Sequence, residues 1–168
     1  METLGGCNVP QDSCPDRRQS TSNLGLPEAI KLAQDQSATL CLLHVIDDET
    51  ILKRGSIYAH TAYIEEFVAA LRKDGEKILS KAEKEVKKHA IKCQTALLEI
   101  VDRSVADAII EQSRRWRADL IVLGSHGRRG LSRLVIGSDA EGVVRAARVP
   151  VLLVRHQSAV RRRTRPIR

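Results

Sequence analysis

Three glycines and a serine in the last third of the chain have a spacing that can bind an anion. They form the pattern Gly-x2-Gly-x9-Gly-Ser at Gly124, Gly127, Gly137 and Ser138. Glycine has no Cβ, so the backbone at Gly124 and Gly127 can approach a ligand closely or adopt a positive φ. Successive N–H groups can then line a concave anion site. Ser138 can act as the N-cap of a following helix or donate its hydroxyl to a phosphate oxygen.

The elements on either side of this loop place it where ligands bind in α/β proteins. A predicted strand from Asp119 to Leu123 leads into Gly124, and a predicted helix runs from about Ser138 to Ala147. In doubly wound sheets, ligands bind beyond the C-terminal ends of the parallel strands. The free N–H groups and the positive dipole end of a helix also favour phosphate. The sequence therefore predicts a phosphate site between this strand and this helix.

Apolar patterning predicts that the rest of the chain alternates between strands and helices. Near-continuous apolar runs of β-formers are typical of strands buried on both faces of a parallel sheet. Such an alternation predicts one doubly wound α/β domain with helices on both faces. The further predicted strands span 38–46, 95–101 and 149–154. Predicted helices begin at Leu26 with Pro27 in the first turn, span about Thr61 to Ala90 with a bend at Gly75, and span Val105 to Trp116.

The two ends of the chain differ from this domain. Residues 1–20 show neither helical nor strand periodicity and have the Gly, Pro, Asp and Ser content of a loop. From Ser158 onward there are five Arg and no acidic residue, whereas the rest of the chain has 23 basic against 21 acidic residues. We therefore expect a single domain over 1–157, irregular over 1–20, and a basic disordered tail over 158–168.

Composition narrows the classes of function. No apolar run approaches the roughly 20 residues that cross a bilayer, and the N-terminus has no signal-peptide pattern, so we expect a cytoplasmic protein without membrane contact. The Arg tail could neutralise nucleic-acid phosphates. No aromatic residue interleaves with that cluster, however, so a base-stacking platform is missing and nucleic acid is not the expected partner. Cys41, Cys93 and His44 lie in or beside apolar runs and are interpreted as core residues.

The same residues resemble a known family. The segment ADLIVLGSHGRRGLSRLVIGSDAEGVVRAARVPVLLVR resembles the C-terminal half of the universal stress proteins, in their ATP-binding branch. LLHVID at Leu42–Asp47 resembles the second strand of that family, and the resemblance extends over about Leu24 to Arg155. It implies a five-stranded sheet in the order 3-2-1-4-5 and a homodimer joined through the last strand. The implied activity is that of an ATP-binding stress-response or signalling module, with partners that the sequence does not identify.

The resemblance also implies a set of ATP-binding residues, with Mg²⁺ as a possible companion ion. Val45, near the end of the second strand, would contact adenine. Members of the family normally begin with an apolar strand that ends in an Asp-Gly-Ser-like turn, whose Asp reaches the nucleotide. Here Asn8–Ser13 reads NVPQDS, so Asp12 is the implied counterpart, with Asp16 as an alternative. The ribose and phosphates would be surrounded by Leu123, Gly124, His126 and Gly127, and the triphosphate held by Gly137, Ser138 and Asp139.

Three other functions remain open from the residues alone. A weak ATP hydrolase would need Mg²⁺ and a positioned water. The chain has no GxxxxGK[ST] loop, and Asp139 and Glu141 serve equally well as acids that offset a helix dipole. The second alternative is a nucleotide-free interaction dimer. The third is a nucleic-acid-binding protein that uses the Arg tail. No catalytic residue is predicted, and whether the protein is an enzyme is left open.

Overall fold

The computed structural model describes residues 7–8, 22–47, 61–125 and 136–155. Strands and helices alternate along these residues, and all the strand pairings are parallel. The predicted α/β class is thereby confirmed. In chain order the elements are β1 (Cys7–Asn8), α1 (Ser22–Gln36), β2 (Leu40–Asp47), α2 (Thr61–Lys88), β3 (Cys93–Ile100), α3 (Val105–Trp116), β4 (Ile121–Gly124), α4 (Ser138–Ala146) and β5 (Val151–Val154).

The sheet consists of two pairs of longer strands bridged by a very short one. β2 pairs with β3 over eight residues, and β4 pairs with β5 over four. Between them, Cys7 of β1 pairs with Leu42 on one side and Val122 on the other. The strands therefore lie in the order β3-β2-β1-β4-β5. Two residues from the N-terminal segment thus lie at the centre of the sheet, although that segment lacks strand periodicity.

Alternation along the strands buries apolar side chains on both faces of the sheet. On one face, Leu40 and Leu42 of β2 pack with Ala29 and Ala33 of α1 and with Val86 of α2. On the other face, the core contains residues of β2, β4, α3 and α4, among them Leu43, Val45, Leu123, Ile109 and Val143. β2 is buried along almost its whole length, as its continuous apolar run predicts.

Two features of the helices bear on the sequence prediction. α1 begins at Ser22, so Pro27 lies inside the helix and not in its first turn as predicted. Gly75 lies within the single helix α2, where a Cβ atom would be only 2.8 Å from Leu97 Cδ1 and 2.9 Å from His44 Cδ2. A glycine there lets α2 approach the sheet closely. This close packing is a physical reason for the glycine, and the bend at Gly75 stays a prediction.

Candidate functional site

The C-terminal end of β4 and the N-terminus of α4 lie together, as the glycine pattern predicts. Gly124 is the last residue of β4 and pairs with Val154 of β5. The Ser125 N–H donates to the Val154 carbonyl over 2.9 Å, and the Gly137 N–H donates to the Ser125 carbonyl over 3.0 Å. A short chain of backbone hydrogen bonds therefore fixes the beginning of α4 beside the end of the sheet.

The first turn of α4 has no side-chain cap. Its N-cap residue is Gly137, with φ −63° and ψ 150°. The N-cap role predicted for Ser138 is therefore wrong, and its predicted role as a phosphate donor stays a prediction. Ser138 is instead the first helical residue, and it is exposed. The first regular helical hydrogen bond at this end runs from Glu141 N–H to Gly137 C=O. By position, the N–H groups of the first turn before Glu141 have no intrahelical acceptor, and such groups favour an anion.

Acidic side chains also lie in this first turn. Asp139 and Glu141 are both exposed there, and Glu141 lies 4.0 Å from Arg145. Carboxylates at a helix N-terminus offset the dipole and repel a phosphate by like charge. An anion on this helix must therefore be held by backbone N–H groups, with the carboxylates either turned away or bridged by a cation. Within the described ranges, no three His, Cys, Asp or Glu side chains come together as metal ligands.

The other predicted site residues divide into three groups. Leu123 and Gly124 lie at the end of β4, directly next to the α4 N-terminus, and Leu123 is 2% exposed. The side chain of Val45 is also 2% exposed and packs in the core with Leu43 and Leu123. A ligand contact at Val45 must therefore use the backbone. Outside the described residues lie Asp12, Asp16, His126 and Gly127.

None of the described glycines has a positive φ. For Gly124 the alternative of a left-handed conformation is therefore wrong, and close approach of the backbone is the remaining reason for a glycine there. Two residues other than the four fixed positions of the glycine pattern also shape the site. Ser125 forms both backbone bonds described above, and Gly142 places α4 against α3, since a Cβ atom on it would lie 2.8 Å from the Cβ of Ala106. The regular spacing of the pattern gives no signal for either role.

A second candidate, between the sheet and α3, does not form a ligand site. A cavity of about 20 Å³ lies between β2, β4 and α3, with room for roughly one water-sized group. It adjoins the Cys41 thiol, whose pKa is raised by burial, so the thiol stays protonated and unreactive at neutral pH. The lining residues are Cys41, Leu43, Ile109, Gln112, Ser113, Trp116, Ala118 and Ile121. The interpretation of Cys41 as a core residue is consistent with this burial.

The fold and this site define a class of protein. It is a parallel α/β protein in which the N-terminus of a helix, a position that favours anions, lies at the C-terminal ends of the strands. The sequence profile of the Universal stress protein family matches residues 14–155. Universal stress protein MJ0531 of Methanocaldococcus jannaschii is 32% identical over 127 residues, which are 76% of this chain and 71% of the relative. The chain therefore belongs to the universal stress protein family, as its sequence resemblance implies.

Solved structures have the same fold. The hypothetical protein MJ0577 of Methanocaldococcus jannaschii matches with a TM-score of 0.74 at 20% identity, over 95% of this chain and 100% of that chain. An Arabidopsis thaliana universal stress protein family protein with AMP bound matches with a TM-score of 0.61 at 19% identity, over 93% of each chain. Two further universal stress proteins of similar fold carry cAMP and dAMP. Across the residues described for this chain, no helix combines the length and apolar character of a membrane span.

Proposed function

We propose that this protein binds ATP at the C-terminal end of β4, with the phosphates against the N-terminus of α4. One observation carries the proposal: α4 begins at a glycine without a side-chain cap, and that glycine is hydrogen-bonded to the residue after β4. Helix N-termini of this kind stabilise phosphate through their N–H groups and dipole. The adenine nucleotides bound to structural neighbours in the same family support the choice of ligand.

Each proposed residue has a role that follows from its place. The backbone N–H groups of Ser138 and Asp139 would hold the triphosphate beside Gly137, which has no side chain to block its approach, and the Ser138 hydroxyl would add a further donor. Leu123 and Gly124 would lie beside the ribose and the first phosphate, and the backbone of Val45 beside adenine. By resemblance, the remaining ligand contacts are assigned to His126, Gly127 and Asp12. Mg²⁺ would offset the repulsion between the phosphates and Asp139.

The chemistry proposed is binding without a dedicated catalytic step. Hydrolysis of ATP needs a positioned water and groups that stabilise the charge on the transferred phosphoryl group. Asp139 and Glu141 are the nearest described acids, and both sit where they offset the dipole of α4. We therefore propose a cytoplasmic stress-response or signalling module whose nucleotide occupancy is read by partner proteins.

The assembly proposed is a homodimer joined through β5. β5 is one of the two edge strands of the described sheet, and Leu152 on it is 37% exposed. An edge strand presents unpaired backbone groups that a second copy can pair with. We further propose that residues 1–157 form one domain with a complete 3-2-1-4-5 sheet, whose central strand includes Cys7 and Asn8. The tail over 158–168 is proposed to be dispensable for folding and nucleotide binding.

Ligand-dependent stability provides the first test. ATP at about 100 times its dissociation constant should add about 2.7 kcal/mol of apparent stability. For a chain of this size, that corresponds to a rise in melting temperature of roughly 5–10 °C. Mass spectrometry of protein purified without added nucleotide should in addition detect retained ATP. A melting temperature that does not respond to ATP would contradict the proposal.

Substitutions in the loop separate binding from catalysis. Ser138→Ala should weaken ATP by about 0.5–1.5 kcal/mol, or more where the bond is charge-assisted. Gly127→Val should block close approach of the backbone and abolish the thermal shift. Phosphate release in the presence of Mg²⁺ should stay negligible. Multiple turnovers that disappear in Gly127→Val would identify the protein as an ATPase instead.

A further inference from the structure

Ser125 is the residue at which β4, β5 and α4 meet. Its N–H donates to the Val154 carbonyl over 2.9 Å, and its carbonyl accepts from the Gly137 N–H over 3.0 Å. The first bond extends the β4–β5 ladder by one residue beyond the Gly124–Val154 pair. The second bond reaches the N-cap residue of α4. Both backbone groups of Ser125 are thus used to join the helix N-terminus to the sheet.

The side chain of Ser125 is unusual for its position. Only 3% of Ser125 is exposed, and among the described residues its sole companion as a buried polar side chain is His44. Burying a hydroxyl costs free energy unless the group is hydrogen-bonded, so apolar packing does not explain the serine. A small side chain fits this buried position, and a larger one would have to displace its neighbours.

We propose that Ser125 is a positioning residue of the nucleotide site, which sets where the first turn of α4 stands relative to the end of β4. The inference rests on the proposed function. Ser125 is bonded to the N-cap residue of the helix proposed to face the phosphates, whereas adenine is proposed to lie at Val45 on a different strand, β2. Its perturbation must therefore weaken the binding of ATP much more than the binding of adenosine, which has no phosphate.

The test compares three substitutions by isothermal titration with ATP and with adenosine. Ser125→Val replaces the hydroxyl by two methyl groups and so adds bulk at a buried position, whereas Ser125→Ala keeps the small size and both backbone bonds. Ser113→Val is the matched control, because Ser113 is a half-buried serine on α3 whose hydroxyl donates to the Ile110 carbonyl over 2.8 Å. Circular dichroism and melting temperature establish that each variant is folded.

The expected result is a change in the ratio of the two affinities. Ser125→Val should lose about tenfold or more in ATP affinity, the loss expected when charge-assisted hydrogen bonds to phosphate are misaligned, and should keep its adenosine affinity. Ser125→Ala and Ser113→Val should keep both affinities within about threefold. A Ser125→Val variant that binds ATP normally, or loses ATP and adenosine equally, would overturn the inference. Wild-type protein that binds neither ligand would overturn the proposed function and this inference with it.

Discussion

Replacing Gly142 by alanine tests how closely α4 is held against α3. A Cβ atom at Gly142 would lie 2.8 Å from the Cβ of Ala106, whereas carbon atoms in contact prefer about 3.5–4.0 Å. Neither methyl group can rotate away, because each is fixed to its helix backbone. α4 must then move outward by about 1 Å, and the first turn that is proposed to hold the phosphates moves with it.

Two opposing magnitudes decide the effect on stability. Alanine is favoured over glycine inside a helix by about 1 kcal/mol, whereas overpacking a tight contact costs about 1–3 kcal/mol. Gly142→Ala should therefore lower the free energy of unfolding by up to about 2 kcal/mol, or roughly 4–8 °C in melting temperature. ATP affinity should fall in the same variant, because α4 carries the proposed phosphate contacts.

The reciprocal substitution provides the control. Ala106→Gly alone should destabilise the protein by about 1–2 kcal/mol, through lost helix propensity and a lost methyl contact. The double variant moves the methyl group from α3 to α4 and should return to within about 0.5 kcal/mol of the wild type. Urea unfolding of all four proteins measures the coupling energy, expected to exceed about 1 kcal/mol. A Gly142→Ala variant that is more stable than the wild type, with additive effects in the double variant, would refute the close contact.

Three further predictions concern local stability away from the site. Ala90 has a φ of 56°, where residues with a Cβ are strained, so Ala90→Gly should raise the free energy of unfolding in urea by about 0.5–1 kcal/mol; a lower value would contradict this. Ser104 caps α3 by accepting the Asp107 N–H over 3.0 Å, so Ser104→Ala should cost about 1 kcal/mol in the same assay, and Ser104→Asp should restore most of it. Hydrogen bonds from Arg72 hold the pKa of the Glu99 carboxyl below its usual range. The pair therefore stabilises the fold fully above the ordinary glutamate pKa of about 4.3, and this stabilisation is lost as the pH falls through the lowered pKa. The deficit of Glu99→Gln, about 0.2–1 kcal/mol at pH 7 because the pair is largely exposed, should therefore disappear in strong acid; a deficit that persists there would refute the sign.

The parts of the fold that the sequence predicts are those with a strong local signal. β2 is recognisable because it is buried on both faces, and its apolar run is unbroken. α3 has both its predicted bounds, with Ser104 as a regular N-cap. The last strand begins after Pro150, which lacks an N–H and is suited to that position. Local patterning fixes these elements because burial and capping act within each segment.

The parts that the sequence does not predict depend on contacts between distant residues. β1 is only two residues long, and its place follows from partners on both sides, Leu42 and Val122, not from its own composition. The reason for Gly75 is the approach of α2 to His44, a residue 31 positions away. Ser125 is likewise an unspecified residue of the glycine pattern, and only the hydrogen bonds to Val154 and Gly137 give it a role.

The phosphate end of the candidate site was predictable for a physical reason. A glycine-rich strand-to-helix connection is a local feature, and the helix that follows it presents N–H groups whatever the rest of the chain does. The adenine side is different, because it is assembled from the ends of separate strands. Gly137 and Ser138 are therefore proposed from the local pattern itself, whereas Val45 and Asp12 are proposed from the family resemblance.

The central claim, that an adenine nucleotide binds through its phosphates at the N-terminus of α4, is tested most directly by one calorimetric comparison. ATP and adenosine are titrated in turn into purified protein from which nucleotide has been removed. Saturable binding of ATP at one site per chain, with adenosine weaker by about tenfold or more, is the predicted result, because the helix N-terminus is proposed to contact only the phosphates. Equal affinity for the two ligands, or no binding of ATP, would contradict the account.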